Sequence, residues 1–337
     1  MTQAKEALAE DLRRMSAGEE VGGSLRVGEY LASWLDAKEA AGRKASTIAQ
    51  YRDLTKRYLT PHLGRVKLSD LRASHVEKML ASMEAEGRGL VTRRRTVAVL
   101  SSALGSAVKR RLVPWNVCTQ IEQAPERSEP RPVWDAAQVR QFLASVQKDR
   151  LAALWRLYCL VGVRRGEGVG LKWDAVDLDA GELRISRSLG EVDGKLSWGT
   201  PKTANGRRTI ALDPGTVDAL RSHRTRQNVE KLALGAGYRD DRLVFAWQDG
   251  NVIWPGYISD RFHTLTDLIE LPRIRLHDLR HSAASLALAA GVDLKTVSSN
   301  LGHAGISITA DRYSHVLPAV AREAAERVAA LVDFGPA

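Results

Sequence analysis

RLHDLRHSAASLALAAG, residues 275–291, puts two kinds of sequence into one short run. Its second half reads as a buried helix: at about 100° per residue, Leu279, Ala283, Leu286, Ala287 and Ala290 share one side. Its opening gathers His277, Arg280 and His281 on another side. A helix N-terminus offers backbone N–H groups and partial positive charge, and the arginine fork matches phosphate oxygens, so the natural guest is an anion. The two histidines have the i, i+4 spacing of a helical zinc pair. The glutamate of an HExxH motif is missing, however, and an arginine on the same face repels a dication. A structural cluster, in which the arginine serves a buried carboxylate, is the alternative at this point.

Outside this stretch the chain bounds its own class. At 337 residues it is long enough for two domains with real cores, and 44% hydrophobic with 27% charged residues is a globular composition. No run of about 18 apolar residues is present, so no membrane span is expected. MTQAKEALAEDLRRM, at the start, lacks the apolar stretch of a signal peptide, which points to a cytoplasmic protein. Cys118 and Cys159 have no metal-like spacing and make no disulfide framework. The net charge of +10 favours a polyanionic partner, nucleic acid first.

Residues 1–24 read as one charged helix closed by a Gly/Ser break, and 25–115 as helices throughout. GEYLASWLDAKEAA carries the stripe Tyr30, Leu31, Trp34 and Leu35. The next helix can start at Ser46 and stops before Pro61; SDLRASHVEKMLASMEAEG then gives two short helices, each opened by a serine. Residues 116–133 hold three prolines and no apolar period, the mark of an interdomain linker. The second domain opens with DAAQVRQFLASVQ and a buried helix, LAALWRLYCLVGV. A β region follows, GELRISRSL, KLSWGTPKT and RRTIALD, with hairpin signals at Asp193-Gly194 and Asn205-Gly206. After Asp213 helices return. The architecture is mainly α with a small antiparallel β-sheet.

Further motifs surround the opening stretch. VSSNLGHAGISITADRYSHVLP (297–318) supplies His303 just past a Gly-terminated helix, and Tyr313 ten residues later. LVGVRRGEGVGLKW (160–173) places Arg164 and Arg165 after the buried helix. In order and spacing, VGVRRGE, TPKT, HDLRH, NLGH and DRYSH resemble the arginine box, hairpin lysine, HxxR helix, LGH segment and final tyrosine of the tyrosine recombinases, phage-integrase type. Alone, HDLRH or LGH is a weak signal; five elements in order are specific. The resemblance spans essentially the whole C-terminal domain, 134–318, and 25–115 is similar to the family's helical core-binding (SAM-like) domain.

The resemblance implies roles. Arg164 and Arg280 would clamp the non-bridging oxygens of the scissile phosphate, with Arg165 the competitor of Arg164. His303 would donate a further hydrogen bond. Tyr313 would attack, forming a 3′-phosphotyrosyl bond and releasing a 5′-hydroxyl that Lys202 protonates. His277 would assist proton handling. Glu167 would brace the arginine box and His281 would support the site, although either could be a purely structural partner. The chemistry suits these residue types: fixed cations stabilise a phosphodiester in flight, and they favour the phenolate of a tyrosine whose unperturbed pKa is ~10. Neither metal nor other cofactor is expected. The phosphotyrosine conserves the bond energy, so ATP is not required.

The family's reading extends to the remainder. It implies a site-specific recombinase that integrates or excises a mobile element through a Holliday junction. Relatives that resolve chromosome or plasmid dimers share the chemistry, and a catalytically silent DNA-binding regulator would have lost one of the six residues. Arg43, Lys44, Arg93, Arg94, Arg95, Lys109, Arg110 and Arg111 become candidate phosphate contacts on double-stranded attachment sites, with a solvated helix face as the alternative for each triplet. Self-assembly into a synaptic tetramer, with the amphipathic tail 319–337 docked on its own domain or on a neighbour, and a directionality or DNA-bending factor would follow. The expected location is the nucleoid. Residues 1–24 look like the last helix of an arm-binding domain whose β portion is absent.

Overall fold

The computed structural model describes residues 25–122, 132–200 and 206–303, with isolated positions beyond. The expectations placed on residues 1–24, on Lys202 and Asn205, on Tyr313 and, isolated positions apart, on the tail 319–337 lie outside the described residues. The chain divides into two compact units, Met1–Ser128 and Glu129–Ala337.

The first unit is helical. Val27–Ala40 (α1) buries Val27, Tyr30, Leu31, Trp34 and Leu35, the expected stripe. It packs on Leu90–Lys109 (α5), the long helix that buries Val97, Leu100, Ala103, Leu104 and Ala107. Polar ends of the aromatics are satisfied there: Tyr30 donates to the Ala103 carbonyl at 2.7 Å and Trp34 Nε1 to Ser106 Oγ at 3.1 Å.

Between them the helix limits differ from those read in the sequence. Ala45–Leu54 (α2) starts one residue before Ser46, with Lys44 at its N-cap. The path does not stop before Pro61. It widens into a π turn at Thr55–Leu59, where Thr60 N–H reaches the Thr55 carbonyl, and continues as Thr60–Leu63 (α3) with Pro61 in its first turn. A proline is tolerated there because the first turn needs no N–H donor from it. The two short serine-opened helices are instead one 3₁₀ turn, Leu68–Asp70, and one helix, Ala73–Ala85 (α4), with Arg72 at the N-cap. Val117 and Cys118, in the stretch read as linker, are buried in this unit's core.

The second unit is built on an aromatic cluster. Ala136–Ser145 (α6) is capped by Asp135, which exchanges hydrogen bonds with Gln138, and it delivers Phe142 to Trp134, Trp155 and Phe262. Ala152–Arg156 (α7) runs on into a second π turn, Leu157–Val161. Arg165–Val169 (α8) then leads into Val176–Asp177 (β1), Glu182–Ile185 (β2), Ser188–Val192 (β3), Lys195–Gly199 (β4) and Arg208–Ala211 (β5). The Asp193-Gly194 signal holds: both residues have positive φ, and β3 pairs antiparallel with β4.

RRTIALD does not pair with the preceding strand. β5 pairs with β2, placing Leu183 opposite Ile210 and Ile185 opposite Arg208, in a sheet ordered β1-β2-β5. GELRISRSL accordingly breaks after Ile185. β3 leaves to lie on α8, where a Cβ on Gly166 would stand 2.3 Å from the Leu189 carbonyl oxygen, so only glycine permits that approach. Pro214–Leu234 (α9), Pro255–Asp267 (α10), Leu279–Ala289 (α11) and Leu294–Leu301 (α12) complete the described part.

One buried group sets an acid limit on this unit. His223 on α9 is 1% exposed; its Nε2 contacts the Val244 carbonyl at 2.7 Å and Arg226 approaches Nδ1 at 3.2 Å. Those partners suit a neutral ring, donating through Nε2 and accepting at Nδ1. Burial pushes its pKa down to about 4, and the Arg226 and Arg150 charges help. Above about pH 6.5 the ring is neutral folded or unfolded. As pH falls towards 4 the unfolded chain takes up the proton that the folded one refuses, so stability is lost by on the order of 3 kcal/mol. Chemical denaturation at pH 7 and pH 4.5, on wild type and His223→Gln, checks this: the variant should lack that part of the decline.

Candidate active site

The arginine box sits where α7 ends. The π turn closes with Gly162 N–H on the Leu157 carbonyl, and Gly162 takes a left-handed conformation at φ 69°. A Cβ there would meet Leu301 at 3.0 Å and Ala283 at 3.3 Å, so the glycine is demanded by backbone angle and by space. Two residues on, Arg164 is the N-cap of α8. Its N–H donates to Glu167 Oε2 at 2.9 Å, its Nη1 to Glu167 Oε1 at 2.7 Å and its Nη2 to the Gly302 carbonyl at 2.9 Å. Arg165 points elsewhere, donating to Ser259 Oγ on α10 at 2.8 Å.

Leu276–Asp278 is a 3₁₀ turn, so His277 precedes α11 rather than riding on it. The two-sided helix read in the sequence is also modified: Leu279 through Ala284 are all buried, whereas Ala290 is exposed. α11 packs against the π turn 157–161. Arg280, 3% exposed, donates through Nη1 to the Gly162 carbonyl at 2.7 Å and through Nη2 to the Leu301 carbonyl. The arginine that serves the buried Asp278 is Arg275. His281 is buried with its ring edge-on to His277 at 5.5 Å.

α12 ends at Gly302, again left-handed at φ 63°, and His303 follows it, half-buried. Arg164 and Arg280 thus converge on the consecutive carbonyls of Leu301 and Gly302, beside His303. His277 belongs to the same cluster: partial burial, then the charges of Arg280, Arg275 and Arg164, lower its pKa against the opposing pull of Asp278. It is therefore a neutral proton acceptor at pH 7. Among the described residues no group of three or more His, Cys, Asp or Glu is placed to hold a metal ion.

One member of the cluster escaped the sequence reading. Arg208 on β5, 4% exposed at its side chain, forks onto Glu167 at 3.1 and 2.9 Å and donates to the carbonyls of Gly206 and Asn300. The available signal was alternation: Arg208 shares a strand face with Ile210, the buried side. Burial raises the Glu167 pKa, but the hydrogen bonds and charges of Arg208 and Arg164 outweigh it and hold the carboxyl below its ordinary range. Two guanidiniums, of Arg164 and Arg208, hold the Glu167 carboxylate, and a third, of Arg280, meets Arg164 at the neighbouring carbonyls, a concentration of fixed cations that suits an anion.

The candidate DNA contacts in the first unit are of two kinds. Arg43, Lys44, Arg95, Lys109, Arg110 and Arg111 are exposed, whereas Arg93 is bound to Glu84 at 2.8 Å and Arg94 is half-buried.

The phage integrase family matches residues 133–319, and the phage integrase central domain matches residues 28–124. A XerC-like tyrosine recombinase of Caldanaerobacter subterraneus subsp. tengcongensis is 29% identical over 311 residues, 87% of this chain and 80% of the relative. An integrase of Streptomyces ambofaciens is 29% identical over 356 residues, covering 100% of this chain and 88% of its own. In fold, the chain is similar to the Tn1549 transposon integrase in complex with a circular intermediate DNA, with TM-score 0.75, 20% identity, and coverage of 90% and 100%. It is likewise similar to a lambda integrase tetramer bound to a Holliday junction, with TM-score 0.65, 19% identity, and coverage of 90% and 86%. The family match spans more than half of the chain and takes in the whole arginine cluster, so the chain belongs to the phage integrase family of tyrosine recombinases.

Proposed function

We propose that this chain is a site-specific DNA recombinase that integrates or excises a mobile element, cutting and rejoining double-stranded DNA through a 3′-phosphotyrosyl intermediate. The observation that carries this is the convergence of Arg164 and Arg280, from distant parts of the sequence, on the carbonyls that lead into His303. In this reading the two guanidiniums and His303 bind the scissile phosphate, Tyr313 attacks it, and Lys202 protonates the departing 5′-oxygen. His277 acts as the nearby proton acceptor. Arg164 rather than Arg165 takes the first role, because Arg165 is directed to α10.

Relatives named ICEBs1 integrase, of Bacillus subtilis, and putative prophage phiRv2 integrase, of Mycobacterium tuberculosis, favour a mobile element over dimer resolution. The unit 25–115, with the buried Val117 and Cys118, serves as the core-type DNA-binding domain, the rest of 116–133 as the connection, and the assembly on DNA is a tetramer in which the tail 319–337 joins neighbours. Its place in the cell is the nucleoid. A directionality or DNA-bending factor would choose between integration and excision.

The test is covalent trapping in EDTA. Purified protein is mixed with nicked DNA fragments tiling its own gene's surroundings and denatured in SDS. A protein–DNA adduct on one fragment supports the reading; tight, site-specific binding without any adduct overturns it.

A second measurement weighs the basic residues. Neutralising Lys109, Arg110 and Arg111 to glutamine should weaken binding on every sequence tested, and flatten log K against log salt by roughly 0.9 for each phosphate contact removed. Arg93→Gln should change the slope far less, since Glu84 already takes its charge. An unaltered slope in the triple variant would return these residues to a solvated helix end.

A further inference from the structure

We propose that Arg208 is a positioning residue for strand cleavage: by neutralising Glu167 it leaves the positive charge of Arg164 available to the scissile phosphate. This rests on the function proposed above. Glu167 is needed to hold Arg164, since it caps the Arg164 N–H and accepts from its Nη1. A lone carboxylate in that place would cancel the charge it orients. Arg208 removes the conflict by forking onto both Glu167 oxygens from the opposite side. Arg164 and Arg208 then share the one Glu167 carboxylate, so positive charge remains on Arg164 where it meets Arg280 at residues 301 and 302.

Arg208 also ties the site mechanically. Its Nε holds the Asn300 carbonyl in the last turn of α12, ahead of Gly302 and His303. One side chain on β5 therefore touches both the segment that orients Arg164 and the one that delivers His303. It reaches no phosphate itself, because four of its five N–H groups are engaged inside the protein and its side chain is 4% exposed.

The test is single-turnover cleavage on the nicked DNA that traps wild type, with DNA affinity and thermal melting measured in parallel, all below the melting point of the weakest variant. Arg208→Met should cleave about a hundredfold more slowly, the scale of losing one preorganised charge, with affinity within about twofold of wild type. Arg208→Lys keeps the charge and should stay within about tenfold of wild type. The distinguishing variant is Glu167→Gln with Arg208→Met: with no carboxylate left to cancel Arg164, it should recover at least about tenfold over Arg208→Met alone. A purely structural Arg208 predicts the double variant to be no faster than the single, and that result, or wild-type cleavage by Arg208→Met, overturns the proposal. If Arg208→Met does not fold, the double variant is compared with Arg208→Lys; a folded double variant that fails to cleave overturns it too. Absence of an adduct with wild type would instead bring down the functional reading itself.

Discussion

Tyr313→Phe is expected to abolish the covalent adduct, by at least about 10⁴-fold, while DNA affinity stays within about twofold. The substitution removes one oxygen and keeps the ring, so binding energy that comes from arginines on phosphates is untouched. Removal of a nucleophile leaves only the assistance of the surrounding charges, and these cannot make a covalent bond. The other tyrosines of the second unit are poor substitutes. Tyr158 is buried, donates to the Arg165 carbonyl at 2.9 Å, and burial drives its phenol far above the ordinary value. Burial and the Asp240 and Glu230 charges raise Tyr238, and Tyr257 lies edge-on against Trp247. SDS gels of wild type and variant on the same nicked DNA decide the matter. An undiminished adduct in Tyr313→Phe would move the nucleophile to another residue.

Glu167→Gln should give the largest loss of stability of any single change in the site, about 3–5 kcal/mol. Its carboxylate is 3% exposed and accepts four hydrogen bonds, two from Arg164 and two from Arg208. Glutamine keeps the shape but leaves the buried Arg208 guanidinium without a counter-charge, the costly half of a broken buried pair. For a unit of this size the melting point should fall by about 10 °C. Replacing both partners, Glu167→Leu with Arg208→Met, should restore most of it, because an apolar pair incurs no desolvation of charge. Calorimetry on wild type, Glu167→Leu, Arg208→Met and their double variant gives the coupling directly; a melting point unmoved by Glu167→Gln would mean that water already reaches the pair. The sign with pH follows from the lowered Glu167 pKa. Its contribution is present above the unfolded carboxylate range and disappears as pH falls through the folded value, adding to the acid loss from His223.

What could be read in the chain differs by the kind of information. The order VGVRRGE, HDLRH, NLGH names residues whose chemistry is intrinsic, and Arg164, Arg280 and His303 do meet in space. Helix existence was legible from apolar period, as with Tyr30, Leu31, Trp34 and Leu35. Helix limits were not: Pro61 looks like a stop, yet a π turn before it lets the path continue. Strand pairing was legible only where a turn dictates it, at Asp193-Gly194. β5 reaches β2 through a long-range choice that no local dipeptide encodes, and Arg208 went unnoticed for the same reason. An arginine becomes a core residue only once the strand bearing it has a partner and its guanidinium has a carboxylate.

The two π turns have an evolutionary corollary. Each holds one more residue than an α-helical turn, as if a codon had been inserted into a regular helix and retained. In the second unit the helix ends at Gly162, two positions before Arg164. Deleting any one residue of 157–161 would rewind that turn, rotating everything after it by about 100° and drawing it back about 1.5 Å. The Gly162 carbonyl would swing off Arg280, and Arg164 off the Gly302 carbonyl. A lineage descended from this protein can therefore change nearly any letter of LYCLV to another apolar one, but it cannot change their number.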